Sequence, residues 1–149
     1  YICTLVSGGV RREPHLLKAV KSYDNSQVLA VGNTEPVQTL ELHDATLEAV
    51  KKGMYGYTQP GGSVAAYFQN CVVTAGAKTG TSQLGGDQKD NGVFVCFAPY
   101  DDPEIVVSIV IKHAGSGAAL APSAVKILNA YFSAGNVSGS ITGENQLLP

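Results

Sequence analysis

The residues best suited to chemistry in this chain are Lys78, Thr79, Gly80 and Thr81, which stand together in A-G-A-K-T-G-T-S-Q, Ala75 to Gln83. Read as a strand, the stretch sends Thr79 and Thr81 to one face and Lys78 to the other. A ligand docked along it would meet an ammonium, two hydroxyls and main-chain donors. Gly80 has no side chain, so a substrate backbone can come close and add itself as an extra strand. N–H groups on such an edge can also hold an oxyanion. The same four residues fit a plainer reading, in which Lys78 guards an edge strand against aggregation and Gly80 marks a bulge.

Other chemistries find less support. His15, His43 and His113 stand apart, without ligand spacing such as H-x-x-x-H, so no metal set is implied. Asp101 and Asp102 lie in P-Y-D-D-P-E, a turn-forming run where aspartate serves local hydrogen bonds. Gly61-Gly62 and the Gly115 to Gly117 loop lack the G-K-[ST] ending of a phosphate cradle. Cys3, Cys71 and Cys96 are odd in number and lack C-x-x-C spacing, which reads as buried free thiols. No cofactor is expected.

The elements that must position Lys78 to Thr81 come from a chain of 149 residues, one domain by length, with 44% hydrophobic content and a net charge of -2. Mean hydropathy is +0.07. No basic stripe is present, so nucleic acid is not an expected partner. The apolar runs at Val93 to Ala98 and Ile105 to Ile111 are far shorter than the roughly 20 residues that cross a bilayer, and no membrane contact is expected of this segment. The opening Y-I-C-T-L-V-S-G-G reads as the end of a helix entering a Gly-Gly stop, and the whole as a piece of something longer.

Pro14 favours extended chain through Leu16 and Leu17. Gln27 to Val31 and Pro36 to Leu42 read as extended pieces joined by G-N-T-E, a small peripheral hairpin. From Asp44, expected to cap the start, Leu47, Val50, Met54 and Tyr57 share a helical face. Val64 to Phe68 suits a short second helix. Val72 to Thr74, Ala77 to Ser82, Val93 to Ala98 and Ile105 to Lys112 read as strands with short, antiparallel connections. The last two are apolar at nearly every position, so both faces need covering. Pro122 suits the first turn of a covering helix whose face carries Val125, Leu128, Tyr131 and Phe132, and Gly135 ends it. The fold class is α/β of the α+β type, a mainly antiparallel sheet with helices on both faces, incomplete in this chain, from which the other covering helices are expected to be missing. Residues 135–149 read as a flexible tail.

K-T-G in this setting resembles the third signature of the active-site serine penicilloyl transferases, which include penicillin-binding proteins and serine β-lactamases. The context is P-H-L-L-K before it, G-G-S-V-A-A-Y-F leading into it, and V-F-V-C-F-A-P-Y-D-D-P-E-I-V-V-S-I-V-I after it. That order resembles the C-terminal part of the transpeptidase domain of class B penicillin-binding proteins, the elongation type above all, from Tyr1 to about Phe132. Ala77, where the family often has Gly, and Cys96, in a small-residue position, depart from the pattern.

The resemblance implies a D,D-transpeptidase that cross-links peptidoglycan stem peptides through a serine acyl-enzyme. Lys78 would lie beside the S-x-N serine and assist proton transfer. Thr79 and Thr81 would bind the carboxylate of a stem peptide or β-lactam, Gly80 would admit close approach, and the Thr81 N–H would form half of the oxyanion hole. Ser7, Ser22, Ser63, Ser82 and Ser108 have no lysine three positions on, and Ser22 to Asn25 is wrongly spaced for S-x-N. The segment is therefore expected to lack the S-x-x-K nucleophile and, alone, neither to acylate nor to turn over. Its partner would be the N-terminal portion of the same protein, and the parent would sit on the extracytoplasmic face of a bacterial membrane. The strand at Ile105 to Lys112 is expected to have lost a partner strand that the family supplies from upstream. Two readings stand beside this one: a noncatalytic module binding an extended peptide on K-T-G-T, and a fragment of a β-lactam sensor or β-lactamase.

Overall fold

The computed structural model describes residues 1–86 and 88–134. The tail expected at 135–149 lies outside them. Element order is α1 (Ile2–Val6), β1 (Val10–Arg12), β2 (Ala19–Lys21), β3 (Val28–Val31), β4 (Pro36–Thr39), α2 (Asp44–Gly56), α3 (Ala65–Phe68), β5 (Gly76–Ser82), β6 (Asn91–Ala98) and β7 (Ile105–Ile111), then a 3-10 turn (Gly117–Leu120) running into α4 (Ala121–Ala134).

The central feature is an antiparallel sheet in the order β5-β6-β7. Period-two alternation sorts β6 cleanly: Phe94, Cys96 and Ala98 are fully buried on one face. Against them pack Ala77 of β5, Val107 of β7, and Ala121, Ala124, Val125 and Leu128 of α4. Burying Phe94 and Leu128 stabilises the fold by roughly 2 to 3 kcal/mol each. On α4, Tyr131 is exposed, and the inward face is made by Ala121, Ala124, Val125 and Leu128, with Phe132 half-buried against them. The other face of the sheet meets α1 and α2, and there Phe97 is buried under α2, with Gly76 leaving room for its ring. The helix, sheet, helix layering is thus present, but the second helical layer, expected to be missing from this chain, is supplied by α1 and α2.

Val72 to Thr74 is not a strand; β5 starts at Gly76. Those residues are tied to other elements instead: Val72 N–H donates to Asn129 Oδ1 at 2.9 Å, and Thr74 Oγ1 accepts from Tyr100 N at 3.2 Å. Asp44 is the first helical residue of α2 and His43 the cap, with no side-chain cap bond. A carboxylate in the first turn complements the helix dipole, which gives Asp44 its place without capping.

The peripheral region is also wired differently from the expected hairpin. β3 and β4 do not pair with each other: β2 pairs with β3 inside an outer ladder of β1 with β4. The strands are three or four residues long and largely exposed, so no buried alternation marked β1 and β2. The inner turn is closed by Asp24, whose Oδ1 accepts from Ser22 Oγ at 2.6 Å, Ser26 Oγ at 2.8 Å and Ser26 N at 3.1 Å. These bonds, the one from Ser22 first, hold its carboxyl down at about 2, below the ordinary 3.8. A depressed carboxyl stabilises above its unfolded value and loses that contribution as pH falls through the folded one. The Ser26 and Gln27 amide resonances are therefore expected to hold their native positions at pH 5 and shift toward unfolded positions between pH 3.8 and about 2. Unshifted resonances at the acid end would contradict this account of the turn.

Among the cysteines, Cys96 is buried, Cys71 half-buried and Cys3 exposed, and all are free. The expectation of buried thiols fails at Cys3, which sits on α1 at the rim of the molecule. Burial pushes the Cys96 thiol up to about 12, with nearby Cys71 adding to the effect; it behaves as a small apolar side chain.

Candidate functional site

β5 is an edge strand, and on it the structure brings together every residue singled out from K-T-G-T. Its register against β6 pairs Lys78 with Val95, Thr79 with Phe94, Gly80 with Val93 and Thr81 with Gly92, without interruption. Gly80 is therefore not a bulge. A Cβ on Gly80 would stand 3.3 Å from Val93 Cβ, so the bare position also keeps β5 flat against its neighbour.

The strand is anchored at its start by the end of α2. Thr58, buried, has its single hydroxyl proton between two acceptors, Ala75 O at 2.7 Å from Oγ1 and Tyr55 O at 2.9 Å. One residue earlier, Tyr57 meets two side chains from opposite faces of β5. Its hydroxyl lies 2.7 Å from Thr79 Oγ1, and its ring lies under Lys78 Nζ, 5.5 Å from the centroid. Both contacts on one ring put it along the open edge. The Lys78 ammonium also donates to Thr79 O at 2.6 Å. Lys78 and Thr81 are exposed, and Thr79 and Gly80 are half-buried.

The far end of the strand is backed by the loop that opened the question of a phosphate cradle. Gly117 is buried against the backbone of Gly80 and Val93, so closely that a Cβ there would overlap both carbonyl oxygens. Ser116 Oγ accepts from Ala118 N at 3.2 Å and fixes the turn. Gly117 therefore serves close packing behind K-T-G-T, whereas Gly115, with a φ of +81° and open space around it, serves the turn.

In front of β5, between the sheet, α1 and α2, opens a cavity of about 790 Å³. Val93, Val95 and Val106 form its floor, and Lys78, Thr79 and Gly80 its edge. The chemistry available is a fixed cation, one hydroxyl already partnered and one exposed, and the main chain of an edge strand beside a large apolar space.

Ser123-Ala124-Val125-Lys126 does carry S-x-x-K spacing, which corrects the expectation that the segment holds none. The structure gives it no part in the site. Ser123 and Lys126 are both exposed on α4, whose inward residues are Ala124, Val125 and Leu128, and neither borders the cavity. Asp101 and Asp102 are exposed in the bend between β6 and β7. Among the described residues β7 pairs with β6 alone. Also among them, no three His, Cys, Asp or Glu side chains converge as a metal set, and no helix is long and apolar enough to cross a membrane. Two contributors escaped the sequence reading. Tyr57 gave only an apolar helical position, and Gly117 only a loop; a phenol where leucine would pack equally well was the one available signal.

Comparison with known proteins agrees with the motif. The family model of the penicillin-binding protein transpeptidase domain matches residues 1–131. The chain is similar to the peptidoglycan D,D-transpeptidase MrdA of Escherichia coli strain K12, 28% identical over 156 residues, covering 95% of this chain and 24% of the relative. It is similar also to the protein of the same name from Haemophilus influenzae, at 29% over 149 residues, covering 86% and 22%. Among solved structures, penicillin-binding protein 2 of Pseudomonas aeruginosa in complex with WCK 5153 superposes with a TM-score of 0.71 at 25% identity, over 86% of this chain and 28% of that one. Penicillin-binding protein 2B of Streptococcus pneumoniae gives 0.74 at 23%, over 90% and 24%, a likeness of fold. The chain spans about a quarter of the length of the curated relatives it matches.

Proposed function

The chain belongs to the penicillin-binding protein transpeptidase domain family, and from that premise we propose that it supplies the substrate-binding wall of a serine acyl-transfer site whose nucleophile comes from a segment outside these residues. It is similar to the penicillin-binding protein 2 type, and its fold is part of the mixed helix and antiparallel-sheet fold of that domain. The observation that carries the proposal is the K-T-G-T strand, paired on one side alone and bordering a cavity large enough for a peptide end.

In this reading the reaction is D,D-transpeptidation of peptidoglycan stem peptides. The serine attacks the penultimate D-alanyl carbonyl, the terminal D-alanine leaves, and an amine of a neighbouring stem peptide resolves the acyl-enzyme. Lys78 places a positive charge where the terminal carboxylate and the developing anion gather. Thr79 and Thr81 hydroxyls hold that carboxylate. The Thr81 N–H is one donor of the oxyanion hole, and Gly80 lets the peptide lie along the strand. β-Lactams enter the same place as stem-peptide mimics. The Helicobacter pylori penicillin-binding protein solved with MreC makes a protein partner part of the proposal for the parent, which would work at the extracytoplasmic face of the bacterial membrane.

The test is a fluorescent penicillin, applied to the chain alone and to the chain combined with a polypeptide carrying the S-x-x-K and S-x-N segments. Covalent label is expected only in the mixture, and slowly released. Label on the chain alone, or none in the mixture, would overturn the proposal; rapid release would reassign the parent to the β-lactamases.

A further inference from the structure

Tyr57 touches the K-T-G-T strand twice, yet the roles above assign it nothing. Its own position is fixed from both sides. Its N–H bonds to Gly53 O at 3.2 Å at the end of α2, and its carbonyl accepts from Val64 N at 3.3 Å. Gly62 lies against that carbonyl so tightly that any side chain there would overlap it. The next residue, Thr58, is bonded to Ala75 O at the threshold of β5. A ring held this way arrives at β5 with little freedom left to lose.

Its two contacts then have chemical direction. Either oxygen of the 2.7 Å pair can donate, and the more acidic phenol favours the arrangement in which the Tyr57 hydroxyl gives its proton to Thr79 Oγ1. That leaves the threonine proton free to turn outward. The ring face under Lys78 Nζ attracts the ammonium and keeps it beside the same edge.

We propose that Tyr57 is a positioning residue of the carboxylate subsite: its hydroxyl orients Thr79 to donate to a ligand carboxylate, while its ring holds Lys78 beside the same group. This rests on the carboxylate reading given above. It adds that the subsite is built by α2 as well as by β5, and that carboxylate recognition draws on a three-membered donor chain, Tyr57 to Thr79 to ligand. No proton changes owner in this arrangement.

The test uses the intact chain, labelled with ¹⁵N, and two probes: N-acetyl-D-alanyl-D-alanine and its C-terminal amide. The wild-type chain is expected to bind the carboxylate probe, with shifts at the Thr79 to Thr81 amides, and the amide probe more weakly. Tyr57→Phe keeps the ring and loses the donor, so it should weaken the carboxylate probe roughly fivefold and leave the amide probe and the melting temperature unchanged. A role confined to packing would move neither probe in Tyr57→Phe, and equal binding of the carboxylate probe by that variant and the wild type overturns the proposal. Absence of carboxylate binding by the wild-type chain is a separate outcome, which removes the subsite and the role of Tyr57 with it.

Discussion

Replacing Lys78 with alanine is expected to slow penicillin labelling of the combined polypeptides about a hundredfold while leaving the melting temperature within about 2 °C of the parent. The two halves of that expectation have different origins. Lys78 is exposed, its contacts are the Thr79 carbonyl and the Tyr57 ring, and the end of α2 stays tied to β5 without it through Thr58 and Ala75 O. A surface substitution of this kind costs little stability. Its charge, in contrast, stands at the rim of an apolar cavity where few other cations compete. Removing one fixed electrostatic contributor from such a site lowers rates by orders of magnitude. Lys78→Arg would restore the charge but not the compact ammonium, and should recover only part of the rate. Labelling by the alanine variant within about threefold of the parent would sink the role given to Lys78.

Gly117→Ala acts from behind the strand. The added methyl would overlap the carbonyl oxygens of Val93 and Gly80 and come within 3.0 Å of the Gly80 nitrogen. All three are backbone atoms, so no flexible side chain can yield; either β5 or the loop must shift. We expect a loss of about 3 kcal/mol, the upper end for overpacking, and a fall in melting temperature of roughly 10 °C. The displacement falls on Gly80 and Thr81, so labelling of the combined polypeptides should slow even well below the melting transition. A variant that melts and labels like the parent would show that the loop adjusts freely and does not set the strand.

The parts legible in the sequence were those where burial writes a period. β6 and β7 announce themselves by continuous apolar residues, and α2 by Leu47, Val50 and Met54 on one face. K-T-G-T was legible by its chemistry, and its setting between G-G-S-V-A-A-Y-F and F-A-P turned a short motif into a domain. The misread parts lack such periods. β1 and β2 are largely exposed, and the turn that joins β2 to β3 is closed by bonds around Asp24 that no hydrophobic pattern reveals. Val72 to Thr74 has strand-forming residues, but tertiary bonds to Asn129 and Tyr100 hold it elsewhere. Tyr57 and Gly117 are invisible for a different reason. Their value lies in which atoms of β5 they touch, and contact between distant segments is not a property of either residue's neighbours in sequence.

The single sheet at the centre divides its duties between its faces. Phe94, Cys96 and Ala98 look toward α4 and carry the packed interior, whereas Val93 and Val95, alternating with them, look into the cavity beside Lys78. Along β6, then, tolerance to change alternates residue by residue: truncations at even positions threaten the fold, and those at 93 and 95 reshape the space offered to a ligand. Only at Phe97, where α2 closes down, do the two duties coincide. A fold arranged this way can diversify what it accepts by editing every second side chain of one strand, without disturbing the layer that keeps it standing.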